Sequence, residues 1–243
     1  MHVGLGLNLG VGLGIGRAGP TYAYNYVVWD GSGDQLDNAT NLGLAATFDT
    51  FTAAFAFKIT ALPVAANYTL AGHTSTVGLP LVTINDAGGV IINTPTNLST
   101  TGILGKQIYA NGTIATNTDY VLHIAAQAST RTLLTWLNGA LTTQSDTWLG
   151  TGAMPRPSAW AIGGTPGATT NRFGGSYGLA WFDVGQYITD ATKFYPARAL
   201  GANMENPGAR PAIGFGDAQT ATNWNAGTNL GDGTGTWTMT GGV

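Results

Sequence analysis

Three histidines, one glutamate and a scatter of aspartates are the side chains available here for general acid–base work near neutral pH. Cleaving a glycosidic bond takes two carboxyl groups held a fixed distance apart. The one glutamate, Glu205, sits in Asn203-Met204-Glu205-Asn206-Pro207, which reads as a loop. No two aspartates stand at i, i+2 or i, i+4 within a segment that reads as a strand. A divergent glycanase built on aspartates paired through space is the third-ranked expectation, and a non-enzymatic chain is the first. His2, His73 and His123 are far apart in sequence, so no zinc spacing is present. His73 lies in Ala71-Gly72-His73-Thr74-Ser75 and reads as a loop residue beside hydroxyls. No Gly-x-Ser-x-Gly elbow accompanies it. His123 stands inside an apolar strand and reads as a packed sheet residue. There is no cysteine, which removes disulfides, thiolate metal sites and a cysteine nucleophile.

Binding chemistry has more candidates. Trp148 and Trp224 occupy polar Thr/Ser/Gly/Asn surroundings, where an indole could stack on a sugar ring, whereas Trp136 and Trp181 read as core. Asp30, Asp34 and Asp37 cluster around one turn and are weak calcium candidates, because their spacing is not that of a calcium loop. Turn-forming aspartates capping the backbone are the favoured reading over calcium. No other cofactor is expected.

These side chains must be positioned by strands. Residues 3–16 alternate an aliphatic residue with glycine, Asn8 excepted. A period of two fits an extended strand and not an amphipathic helix. Val3, Leu5, Leu7, Leu9, Val11, Leu13 and Ile15 form one hydrocarbon row, and the opposite face is nearly bare backbone. Glycine loses the most entropy on ordering, so such a strand needs a partner. No Lys or Arg precedes it and Ala18-Gly19-Pro20 is a poor cleavage site, so it does not read as a secretory signal. It reads as an assembly arm, residues 1–20, followed by one domain, residues 21–243.

Within that domain, Tyr22, Tyr24, Tyr26 and Trp29 suggest an aromatic strand, and Asp30-Gly31-Ser32-Gly33-Asp34 a turn. Strands are expected at 51–59, 68–72, 79–84, 90–93, 107–109, 120–127, 132–137, 141–143, 160–162, 176–182, 213–215 and 236–239. Asn138-Gly139 is the strongest hairpin signal. Only Thr189–Leu200 reads as helical. Many short strands between frequent turns argue for an all-β sandwich.

Charged residues make up 9% of the 243, against roughly 25% in ordinary soluble domains, so the surface is built from Thr, Asn, Ser, Gly and Ala. That is common in exposed β-rich assembly proteins. Net charge is −3 with nine Lys and Arg and no basic stripe, which argues against nucleic acid as a partner. No apolar run reaches the roughly 18 residues of a membrane helix, so no membrane insertion is expected.

The order of these segments resembles the laminin-G-like, concanavalin A-like jelly rolls. Trp29-Asp30-Gly31-Ser32-Gly33-Asp34-Gln35-Leu36 is similar to their opening motif, and Phe51–Lys58 to their first long strand. Tyr120–Ala125, Leu133–Ala140 with its Asn-Gly turn, Trp160–Gly164 and Phe173–Asp183 follow in the same order. The resemblance spans residues 29–195 and leaves 196–243 as a C-terminal extension. It implies an antiparallel two-sheet jelly-roll sandwich, here with an extended N-terminal arm. It does not imply one function. The family's glucanases carry a Glu-x-Asp-x-Glu motif, which this chain lacks. The Leu-Gly arm and the Asn-, Gly- and Thr-rich tail resemble the minor structural proteins of tailed bacteriophages.

The expectation is a virion structural protein assembled in the host cytoplasm. It would display its jelly roll on the particle and be anchored or oligomerised by strand addition of the arm. Its expected partners are other virion proteins and copies of itself. A carbohydrate-binding adhesion or receptor-binding module, with a host surface glycan as partner, is the alternative.

Overall fold

The computed structural model describes residues 27–74, 78–95, 106–144, 152–195, 211–216 and 221–241. In chain order the strands are β1 Val27–Asp30, β2 Gln35–Asn38, β3 Thr47–Phe48, β4 Thr50–Lys58, β5 Asn67–Thr74, β6 Gly78–Asn85, β7 Val90–Ile92 and β8 Lys106–Tyr109. Then follow β9 Asp119–Gln127, β10 Thr132–Leu137, β11 Ala140–Gln144, β12 Met154–Pro155, β13 Ala159–Ile162, β14 Gly174–Val184, β15 Ile213–Phe215 and β16 Trp237–Thr240. Sheet I runs β1-β14-β4-β9-β10-β11, with β15 also on β14. Sheet II runs β16-β2-β13-β5-β6-β7-β8, and every strand pairing is antiparallel. The chain is an antiparallel jelly-roll sandwich.

The period of two explains the layering. In β4, Phe51, Ala53, Phe55 and Phe57 face the space between the sheets, while Ala54 and Ala56 face away. Trp160 of sheet II meets Phe182 of sheet I with ring centroids 4.4 Å apart. Burying one such ring stabilises the fold by about 1.5–3 kcal/mol. Turn chemistry sets the register. Asn138 and Gly139 both adopt positive φ, at 49° and 77°, which is what a two-residue hairpin requires. Asn138 also accepts a hydrogen bond from the Val121 N–H at 2.7 Å.

The stretch beyond the resemblance is built into both sheets. β15 pairs with β14, β16 pairs with β2, and the short helix α1 (Ala221–Asn225) places Trp224 in the core. Trp29 and Val27 of β1 point inward and Val28 outward; Tyr22, Tyr24 and Tyr26 lie outside the described residues. The helix expected over 189–200 is, among the described residues, one 3₁₀ turn at Ala191–Lys193. Pro196 disfavours helical backbone at Tyr195, which ends it early.

Candidate functional site

The outer face of sheet II carries small side chains. β13 turns Ala159 and Ala161 outward, β5 turns Gly72 and Thr74, and β2 turns Gln35 and Asp37. The loop 163–172 then crosses this face. It can do so because residue 72 is glycine: a Cβ there would stand 2.6 Å from the Gly164 carbonyl oxygen. Gln35 is pinned beneath the loop and donates to the Thr165 carbonyl at 3.3 Å and to Asp37 Oδ1 at 2.6 Å. The buried Arg172 guanidinium holds the loop from its far end, donating to the Ala168 and Gly33 carbonyls.

Between loop and sheet lies a groove of about 430 Å³. Asp37, Thr74 and Ala159 form its floor and Pro166 and Gly167 its wall. Asp37 Oδ2 also accepts from the Thr240 hydroxyl at 3.1 Å, so the carboxylate is fixed in orientation. Each oxygen of an ionised carboxylate retains a free lone pair for a further donor. Among the described residues, Asp37 is the one carboxylate lining the groove. Paired-carboxylate hydrolysis takes two such groups, and the described lining supplies one. What the groove offers is a fixed acceptor, a hydroxyl, a proline ring and methyl groups. That set suits a neutral ligand carrying hydroxyls on one side and C–H on the other.

The three clustered aspartates do not converge. Asp30 caps its own turn, accepting from the Ser32 N–H at 2.7 Å and the Ser32 hydroxyl at 2.8 Å. Those bonds hold its carboxyl below the usual range. Asp34 Oδ2 accepts from the Asp30 N–H at 3.0 Å, and Asp37 belongs to the groove. Among the described residues no three His, Asp or Glu side chains come together to hold a metal. Asp30 and Asp34 thus serve as the favoured turn-forming residues, and β2 carries Asp37, the third weak calcium candidate, away from their turn.

On the outer face of sheet I, residues 185–195 cross an apolar floor of Ala54, Ala56, Val121, Leu179 and Trp181. Phe194 seals it, 5.1 Å from Trp181 between ring centroids. Trp136 and Trp181 are buried, as their reading as core residues expects, and they pack on this outer face rather than between the sheets. His123 lies here at 1% exposure, as a packed sheet residue. Asp183, at the rim of this face, accepts from Gln186 Nε2 at 2.7 Å. Burial pushes its carboxyl up to about 6, and the negative charge of Asp232 adds to this. Its folded pKa is above the unfolded 3.8, so its contribution to stability is full below pH 3.8 and is lost as pH rises through 6. Asp183→Asn is expected to raise the melting temperature at pH 7.5 by a few degrees, reflecting about 1 kcal/mol, and to have little such effect at pH 4. Equal shifts at both pH values would contradict it.

The other sequence candidates fall as follows. His73 is not in a loop: β5 continues to Thr74, and the ring is fully buried 5.8 Å from Trp160. Trp224 is fully buried against Tyr177 and Phe215 and donates to the Gly216 carbonyl at 3.2 Å, so it offers no face to a sugar. The Asn- and Gly-rich sequence around it forms the loops that fold it inward. Trp148, Glu205, His2 and the arm residues Val3–Ile15 lie outside the described residues. The groove itself was missed by sequence reasoning. Its signal was Gly72 inside a strand together with Gly163-Gly164, a mark of close backbone approach.

No family model matches the chain, and no curated protein matches it by sequence. Among solved structures, its fold is similar to that of a candidate carbohydrate-binding protein from Bacteroides ovatus ATCC 8483 (TM-score 0.53, 15% identity, 79% of this chain and 53% of that one). It is also similar to the heptameric SAP-like pentraxin of Limulus polyphemus (TM-score 0.52, 10% identity, 88% and 93%). Domains LG4-5 of the mouse laminin alpha1 chain match at TM-score 0.43 and 13% identity, over 65% of this chain and 40% of theirs. The chain spans about half the length of the Bacteroides protein. At these identities the likeness concerns fold, and the class it defines is the antiparallel jelly-roll sandwich.

Proposed function

We propose that this chain is a non-enzymatic display domain that binds a neutral saccharide in the groove of sheet II and is carried on a phage particle by its N-terminal arm. The observation that carries the binding half is the groove itself: a preoriented Asp37 acceptor beside apolar contacts, with no second carboxylate among the described lining residues. The fold it shares with a candidate carbohydrate-binding protein is compatible with this. The particle half is supported by the low-charge surface and by the aliphatic/glycine alternation of residues 3–16. Main-chain pairing of that arm with a neighbouring copy or another virion protein would hold the domain in place.

One set of proteins tests both halves. On a panel of surface glycans, wild type is expected to bind at least one neutral sugar, and Asp37→Ala to bind it about tenfold more weakly through loss of a charge-assisted hydrogen bond. Trp148→Ala on the same panel asks whether that indole adds a stacking face. Deleting residues 1–16 is expected to leave a folded domain with unchanged sugar binding that no longer assembles. Absence of binding to any sugar would sink the groove reading, release of reducing ends would favour a glycanase, and unfolding of the truncated chain would make the arm part of the sandwich.

A further inference from the structure

His123 occupies an unusual place. It projects from the outer face of sheet I, between the ring of Trp136, stacked at 4.3 Å and 14°, and that of Phe194 at 4.5 Å. Neither imidazole nitrogen makes a hydrogen bond of normal geometry, although the Ile188 carbonyl leans toward the ring. A buried polar ring with no partner costs stability, and it costs far more once charged.

The segment above it is tied to the sheet mainly at one end. There the Gly185 N–H donates to the Thr50 carbonyl at 2.9 Å, the Thr52 hydroxyl to the Gln186 carbonyl at 3.0 Å, the Ile188 N–H to that same hydroxyl at 3.0 Å and Gln186 Nε2 to Asp183 at 2.7 Å, and the Tyr187 hydroxyl meets Thr132 of β10. These ties lie within residues 185–188, next to Gly185, which has a φ of 79° and open space around it. Beyond Ile188, Phe194 and Tyr195 pack against the apolar floor. A hinge at one end and an aromatic plug at the other describe a strap.

We propose that residues 185–195 are an acid-released strap, and that protonation of His123 beneath it opens the aromatic face of Trp136 and Trp181. With the strap closed, the imidazole is held neutral; with it open, water solvates the ring. Burial pushes its pKa down to about 3 in the closed state. An open state at the ordinary 6.5 takes up the proton first as pH falls. The charged groups around this face are Asp190 and Lys193 on the strap, Asp183 on β14, and the Lys58–Asp119 pair of β4 and β9 at its far end; β10 has no titratable side chain. Of these, Asp190 acts on the ring, favouring its charged form, and it also caps the 3₁₀ turn at Thr192. The Asp190 attraction opposes release, and the desolvation of a charged ring under the closed strap outweighs it.

Linkage gives the size: between pH 7.5 and 5.0 the opening equilibrium should rise about thirtyfold. The measurement is hydrogen exchange of residues 186–195 in the full chain at the two pH values, corrected for the intrinsic rates. Wild type is expected to lose protection there by about thirtyfold relative to β4 and β9. His123→Phe is expected to keep it, and His123→Gln serves if the phenylalanine variant does not fold. His73→Leu, altered between the sheets, should keep the wild-type loss. Unchanged protection in wild type, equal loss in both His123 variants, or loss shared equally by β4 and β9 would each overturn the strap.

Discussion

Gly163→Ala is expected to destabilise the fold severely. Residue 163 has a φ of 79°, and a Cβ there would stand 2.2 Å from Trp29 Cζ3 and 2.6 Å from Cε3. Trp29 cannot yield: it is 1% exposed and its ring packs against Tyr177 at 4.9 Å and Trp224 at 6.3 Å. Positive φ costs a non-glycine residue about 1–2 kcal/mol, and overpacking a closed core about 1–3 more. A total of about 3–5 kcal/mol is a large share of the stability of a typical domain. Gly163 also ties the groove loop to both sheets, donating to the Leu70 carbonyl and accepting from the Phe173 N–H. Gly167→Ala is the control, because its φ is 72° but nothing lies within 4 Å of a Cβ there. The urea midpoint should fall several times further for Gly163→Ala than for Gly167→Ala. Equal falls would mean that Trp29 repacks.

Acid should be the second large effect. His73 is enclosed between the sheets with neither nitrogen bonded, and burial pushes its pKa down to about 4. The unfolded chain titrates near 6.5 and so binds the proton first. The stability tied to neutral His73 is complete above pH 6.5 and drains as pH falls toward 4, by about 2 kcal/mol at pH 5. His73→Leu removes this dependence, and its packing cost is the same at both pH values. The melting temperature of wild type should drop between pH 7.5 and 5.0 by about 4–8 °C more than that of His73→Leu. Asp183 works the other way over part of the window, so the comparison must be made between the two proteins. Parallel drops would show that His73 is solvated in the folded state.

How much of this was legible in sequence depends on the range of the interaction. The β4 alternation of Phe51, Phe55 and Phe57 and the Asn138-Gly139 hairpin are local signals, and both appear where the sequence places them. Trp224 misled because local polarity says nothing about what a distant strand supplies: its neighbours Tyr177 and Phe215 come from β14 and β15. His73 misled because two residues of extra strand length turn a loop side chain into a core one. The groove depends on a crossing loop, and Gly72 hints at an approach without saying what approaches.

The pairing of β16 with β2 has a consequence for how the protein is made. Thr240 bonds to Asp37 across a separation of 203 residues, and β15 adds to the same strand, β14, that holds β1. Contacts of this span are slow to form, because the loop must close before the contact rewards it. Sheet II gains its last strand only when residue 240 has cleared the ribosome. During synthesis the β2 edge and the inner faces of both sheets stay open, a nascent chain that needs either speed at the end or protection until then.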